Sequence, residues 1–185
     1  MNDFTRFFEE TTNDCISQKG HNLRNSYQID IIEDIARPSW TRFVSSLFYI
    51  PMKDLLNPKA RFNETEFHNS MVTIFCYFYR GDDPIESIGL KETALQAYSG
   101  LAQELVCEVL ECSSFAHIIL QRDHGIRGSG LMPNHGDEVL RRLFESGKSV
   151  EEVTSTAVLL AVGITVAGSF AVSDYEHSKH GGEHC

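Results

Sequence analysis

The seventeen residues from Thr156 to Val172 carry no charged side chain, and they follow Ser149-Val150-Glu151-Glu152, a Ser with a Glu three positions on. That pairing marks a helix start, because the Ser oxygen and the Glu carboxylate each take a backbone N–H that the first helical turn leaves free. A helix that is apolar all round must be covered all round, by protein or by lipid. Seventeen residues are at the short edge of a bilayer span. The run also contains Thr165, Ser169 and two glycines, and its flanks are Glu151, Glu152 and Asp174 rather than a basic cluster with interfacial aromatics. Those flanks argue against integral membrane insertion and for the central helix of a larger soluble fold. The remaining segments are few for enclosing such a helix, so the expectation is an incomplete helical domain.

Those segments also have helical spacing. Phe4, Phe7, Phe8, Thr11, Cys15 and Ile16 recur at three- and four-residue intervals after Asn2, and Gly20 ends the pattern. From Ile29 the positions Ile32, Ala36, Trp40, Phe43, Ser46 or Leu47, and Phe48 predict a second helix, broken or kinked at Pro38 and stopped by Pro51. Asn57-Pro58 marks a turn. Asn63 with Glu66 then caps an aromatic helix carrying Phe67, Met71, Ile74, Phe75 and Phe78. Gly81-Asp82-Asp83-Pro84 reads as a stop and a new start, leading into a long helix through Ala94, Tyr98, Leu101, Leu105 and Val109. Residues 121–136 read as a polar surface loop, with helix resuming at Asp137. Nothing alternates at period two, and the predicted fold class is all-α.

With 26 acidic and 16 basic residues the formal charge is −10, which opposes binding to a phosphate backbone, so no nucleic-acid partner is expected. Five cysteines without regular spacing, behind an N-terminus Met1-Asn2-Asp3-Phe4 that lacks an apolar leader core, fit a reducing intracellular setting.

The order of segments adds a resemblance. HGDEVLRRLFESGKSVEEVTSTAVLLAVGITVAG, from His135 to Gly168, resembles the helices leading into the central helix of a cytochrome P-450. More closely, it is similar to the C-terminal haem-thiolate domain of fungal fatty-acid oxygenases, the linoleate diol synthase or psi-factor-producing oxygenase family. SYQIDIIEDIARPSW, FYIPMKDLLNPKARFNETEF and YFYRGDDPIESIGL resemble the same domain in the same order, so the similarity runs from about Phe4 to Lys179.

The resemblance implies a partial P-450-like domain over 1–185, with a helical core at about 4–172 and a flexible tail at 173–185. It further implies haem as the cofactor of the complete domain and a linoleate-type fatty acid or its hydroperoxide as partner. The activity implied is a two-step oxylipin synthesis: a separate peroxidase-like domain makes the hydroperoxide and the haem-thiolate domain isomerises it to a diol or related product. The location implied is intracellular, cytoplasmic or peripheral to membranes or lipid bodies. The residues that would border the distal side of haem are Ala161, Gly163, Ile164, Thr165, Ala167, Gly168 and Ser169.

This chain departs from that pattern. The family's Glu-x-x-Arg helix and Cys loop would lie past residue 185, and thiolate donation to iron is what favours oxygen–oxygen cleavage. The family's Asn-Gln pair, whose amides orient the peroxide, falls on Gly168 and Ser169, where one hydroxyl replaces two amides. Thr165 is either a displaced proton-relay hydroxyl or a side chain bonded back to the carbonyl one turn earlier. After Phe170 the resemblance skips: Ser173-Asp174 with Ser178-Lys179-His180 resembles a family segment expected about two helical turns later. The chain is therefore expected to be inactive alone; the alternative is a non-catalytic helical module that binds lipid or protein.

Other constellations have simpler readings. His177, His180 and His184 with Cys185 have ligand-type spacing, but Gly181-Gly182 makes a solvated tail the preferred reading. Cys107 and Cys112, five apart, face different ways and read as core. Asp123-His124 near Ser129 lacks a nucleophile elbow. The paired acids Asp82-Asp83 and Glu151-Glu152 sit at helix starts, where the dipole favours them. The aromatic helix from Phe67 to Tyr79 either lines a fatty-acid channel or packs a core.

Overall fold

The structure, a computed structural model, describes residues 3–24, 26–54, 57–79, 86–113 and 133–180, with the side chains of 22, 27, 79, 86–88, 107–113, 133–134, 137 and 170–180 left aside. Among these lie six α-helices: α1 (Asp3–Lys19), α2 (Arg37–Leu47), α3 (Glu64–Tyr79), α4 (Glu86–Ser113), α5 (Pro133–Glu145) and α6 (Val150–His180). The all-α class holds. The extended pieces among the described residues are the antiparallel pair His21–Asn22 with Tyr27–Gln28 and a parallel bridge between Met52 and Phe62.

Both capping pairs form as their spacing demands. Asn63 Oδ1 accepts from the Glu66 N–H at 2.9 Å and Glu66 returns a carboxylate oxygen to the Asn63 N–H at 3.0 Å, starting α3. Ser149 Oγ accepts from the Glu152 N–H at 3.3 Å and Glu152 accepts from the Ser149 N–H at 2.8 Å, starting α6.

The break expected at Pro38 takes a definite form. Residues Ile31–Ala36 make a π-helical segment that runs directly into α2, with Asp30 capping it by accepting from the Ile32 and Glu33 N–H groups at 2.9 Å each. A proline ring clashes with the carbonyl four residues back in an α-helix. The wider π turn, in which the Arg37 N–H bonds the Ile32 carbonyl, accommodates Pro38 in the first turn of α2.

At the other junction the expectation needs correcting. Helix begins at Pro133 rather than Asp137, so 133–136 is the first turn of α5 and not loop. Proline suits a first turn because its missing N–H would have no helical partner. Gly136 in that turn meets α2, where an added Cβ would overlap the Leu47 carbonyl. Asp82, Asp83, Pro84, Asp123, His124 and Ser129 lie outside the described residues.

Helix α6 is the hub, packing against α2, α3, α4, α5 and the π segment. Its buried face presents Val153, Ala157, Val158, Ala161, Val162 and Val166. From α3 come Phe67, Met71 and Ile74, and from α4 Leu101 and Leu105. Each such Val, Leu, Ile, Phe or Met side chain contributes roughly 1.5–3 kcal/mol relative to exposure. Tyr98 and Ser155 join α4 to α6 by a 2.9 Å hydroxyl hydrogen bond. The opposite face of α6 is open, with Leu159 49% and Leu160 39% exposed. Val150–Ser169 is long and apolar enough to cross a membrane by length and composition. The helical backbone continues through residues 173–180, first read as tail, to His180.

Candidate functional site

Three elements enclose the candidate site: the π segment with the start of α2, the first half of α3, and α6 near Ser169. A cavity of about 320 Å³ lies between them, with Ile32, Val72 and Val166 as apolar wall and Asp30, Glu33, Arg37, His68 and Ser169 as polar wall. A smaller cleft of about 80 Å³ adjoins it toward the end of α1 and shares Glu33, Arg37 and His68; Lys19, Pro38, Thr41, Glu64, Thr65 and Asn69 complete its boundary.

His68 stands at the junction. It follows Phe67 on α3, is 7% exposed, and its Nδ1 is buried without a hydrogen-bond partner. Burial, then the Arg37 guanidinium, push the imidazole pKa below its ordinary value of 6.5, with Glu33 opposing. The group is therefore neutral at pH 7. Thr41, 1% exposed, also has a hydroxyl without a partner.

The charges around the cleft are partly balanced. Glu33 accepts from Arg37 at 2.5 Å, and Glu64 accepts from Arg42 at 2.5 Å. Asp30 spends Oδ1 on its two capping bonds. Among the described residues Lys19 has no ion-pair partner.

The seven central-helix residues singled out by the resemblance divide between faces. Ala161, Thr165, Gly168 and Ser169 are buried, Ile164 packs against the core, Gly163 borders open space, and Ala167 is exposed. Of these, Ser169 reaches the larger cavity. Thr165 does not bond back. Its own hydroxyl is buried and unpartnered, and it is Ser169 that donates to the Thr165 carbonyl at 2.8 Å. Gly168 lies against Trp40 so closely that a Cβ would overlap the indole Cδ2 and Cε2. Trp40 in turn packs on Phe8 at 4.8 Å between ring centroids and on Phe43 at 5.8 Å, so an aromatic cluster from α1 and α2 backs this point of α6.

The aromatic helix resolves toward packing: Phe67 enters the core, Phe75 packs against it, and Phe78 is 57% exposed. The α3 residues that face the larger cavity are His68 and Val72, one turn apart, together with Arg37 and Thr41 from α2 in the cleft. Sequence reading passed over His68, Arg37 and Thr41. The available signal was the i, i+4 pairing of His68 with Val72 beside the buried Phe67 stripe.

For metals, no group of three or more His, Cys, Asp or Glu among the described residues can hold an ion. His177 and His180 fall on the α6 backbone with side chains not described, and His184 and Cys185 lie outside the described residues. So do the side chains of Cys107 and Cys112. Cys15 is fully buried on α1, with burial pushing its thiol pKa up against the opposing charges of Arg42 and Lys19.

No family model matches the chain, and no solved structure matches it. Curated relatives do. Psi-producing oxygenase A of Emericella nidulans is 26% identical over 182 residues, covering 96% of this chain and 17% of that protein. A bifunctional dioxygenase–epoxy alcohol synthase of Fusarium oxysporum is 24% identical over 160 residues, covering 86% of this chain and 12% of that protein. The chain is homologous to fungal fatty-acid oxygenases. The 7,8-linoleate diol synthase of Pyricularia oryzae extends the same kinship, at 22% identity across 97% of this chain and 20% of that protein. The chain thus spans about a sixth of the length of the fatty-acid oxygenases first matched.

Proposed function

We propose that this chain forms a single incomplete P-450-like helical domain of the hydroperoxide isomerase or diol synthase type, belonging to intracellular oxylipin biosynthesis. We further propose that it binds a linoleate-type fatty acid or its hydroperoxide without converting it. Matches covering nearly the whole chain, to a 7,8-linoleate diol synthase and a linoleate 10R-lipoxygenase, support the substrate class.

Haem is the cofactor that the resemblance implies. A thiolate-held haem needs a cysteine whose sulfur is ionised and faces open space. Among the cysteines whose side chains are described, Cys15 is fully buried with its thiol pKa raised, and Cys76 is half-buried on α3. On α6, the position matching the family's amide pair is Gly168, covered by Trp40. The described residues do not fit the group. The chemistry they support is binding, in the cavity between His68, Val72 and Val166.

The contact of Trp40 with Gly168 carries this reading, because it puts an indole where an amide would have to stand. The test is a carbon monoxide difference spectrum of the purified chain after incubation with haemin and reduction. The expected result is no thiolate-type band above that of haemin alone; such a band contradicts the proposal. The second reading, a helical module that binds a protein, draws on the open Leu159–Leu160 face of α6.

A further inference from the structure

The geometry points to a specific anchor: the small cleft holds the carboxylate head of an amphiphile whose hydrocarbon part lies in the adjoining cavity. The inference rests on the lipid-binding reading above and adds the residues that would fix the ligand's orientation. Two residues of the cleft wall carry a buried polar atom without a partner, the Thr41 hydroxyl and the His68 Nδ1. Buried polar groups are almost always paired, and two orphans on one cleft mark hydrogen bonds left for something else to complete. A carboxylate offers two acceptor oxygens. Thr41 O–H donates to one, and neutral His68, protonated on Nδ1, donates to the other.

Charge favours the same chemistry. With Glu64 paired to Arg42 and Glu33 paired to one edge of Arg37, the Lys19 ammonium at the cleft has no ion-pair partner among the described residues, and it stands beside the remaining N–H donors of Arg37. Hydrogen bonds between such cations and a carboxylate are the strong ones. The three shared wall residues, Glu33, Arg37 and His68, set cleft and cavity side by side, and Ile32, Val72 and Val166 form the apolar part of the cavity wall. A head group with no tail would leave that apolar wall uncovered.

The experiment is calorimetric titration of the full 185-residue chain with decanoate, decanol, acetate and inorganic phosphate, repeated on Thr41→Val and Lys19→Gln. Decanoate is expected to bind at least tenfold more tightly than decanol and than either small anion, and Thr41→Val to weaken decanoate at least fivefold. Thr41→Val removes a buried unpaired hydroxyl without changing side-chain size, so its melting temperature should not fall, which separates lost binding from lost folding. Decanol binding as tightly as decanoate, or Thr41→Val leaving decanoate affinity unchanged, overturns the anchor while the lipid-binding reading stands. Acetate or phosphate binding as tightly as decanoate overturns the amphiphile. If neither decanoate nor decanol binds, both the anchor and the lipid-binding reading fall.

Discussion

The indole of Trp40 on α2 rests against the Cα of Gly168 on α6, leaving no room there for a Cβ. Two helices distant in sequence are thereby locked at a point where only glycine fits. Gly168→Ala should destabilise the fold by about 1–3 kcal/mol through overpacking, and Trp40→Ala by about 3–5 kcal/mol through the void it leaves. In the Trp40→Ala background the added Gly168→Ala should cost almost nothing. Urea unfolding of the four proteins measures the coupling, and strictly additive losses would show that the two residues do not touch.

Thr165 has a hydroxyl that is fully buried and unpaired. Replacing it by Val keeps the shape and removes the unpaired group, so Thr165→Val should raise stability by about 1 kcal/mol. A loss of that size in the same assay would mean that the hydroxyl has a partner in solution.

His68 titrates with a clear sign. Its folded-state pKa is depressed, so the proton binds the unfolded chain more readily than the folded one. Its contribution is fully present above the ordinary value of 6.5 and is lost as pH falls from there toward the folded pKa. Unfolding free energy should therefore drop as pH falls below the ordinary imidazole value, and His68→Leu should flatten that drop. An equally steep drop in the variant would assign it to other groups.

The start of α6 depends on a local pair. The backbone and side-chain hydrogen bonds from Ser149 hold the Glu152 carboxyl below its usual range. This stabilisation is present above the unfolded carboxylate value and is lost as pH falls through the folded one. Ser149→Ala should cost about 1 kcal/mol at neutral pH. It should also reduce the loss of stability on acidification, as read by thermal melts across the acid range.

What could be read in the sequence was what depends on neighbours along the chain. Asn63 with Glu66 and Ser149 with Glu152 form as reciprocal caps because each partner is within one turn. The first helix, the aromatic helix and the long helix through Ala94 and Leu105 follow from spacing alone. Pro38 announced a break but not its π form, since an extra residue per turn leaves no mark on a 3.6-residue period over six residues. The start of α5 at Pro133 was hidden because Pro133, Asn134 and Gly136 also read as loop chemistry. Trp40 and Gly168 meet only through tertiary packing, which no local pattern encodes. The same is true of the cleft, which brings Lys19, Thr41 and His68 together from three helices. The central helix was expected to want cover on every face; α6 has it on one, through Val153, Ala161 and Val166, and shows Leu159 and Leu160 on the other.

The most direct measurement of the central claim, binding without turnover, is incubation of the purified chain and haemin with linoleate hydroperoxide, with products identified by mass spectrometry. The expected result is hydroperoxide consumed no faster than by haemin alone, with no stereospecific diol. Stereospecific diol formation that depends on the protein would contradict it.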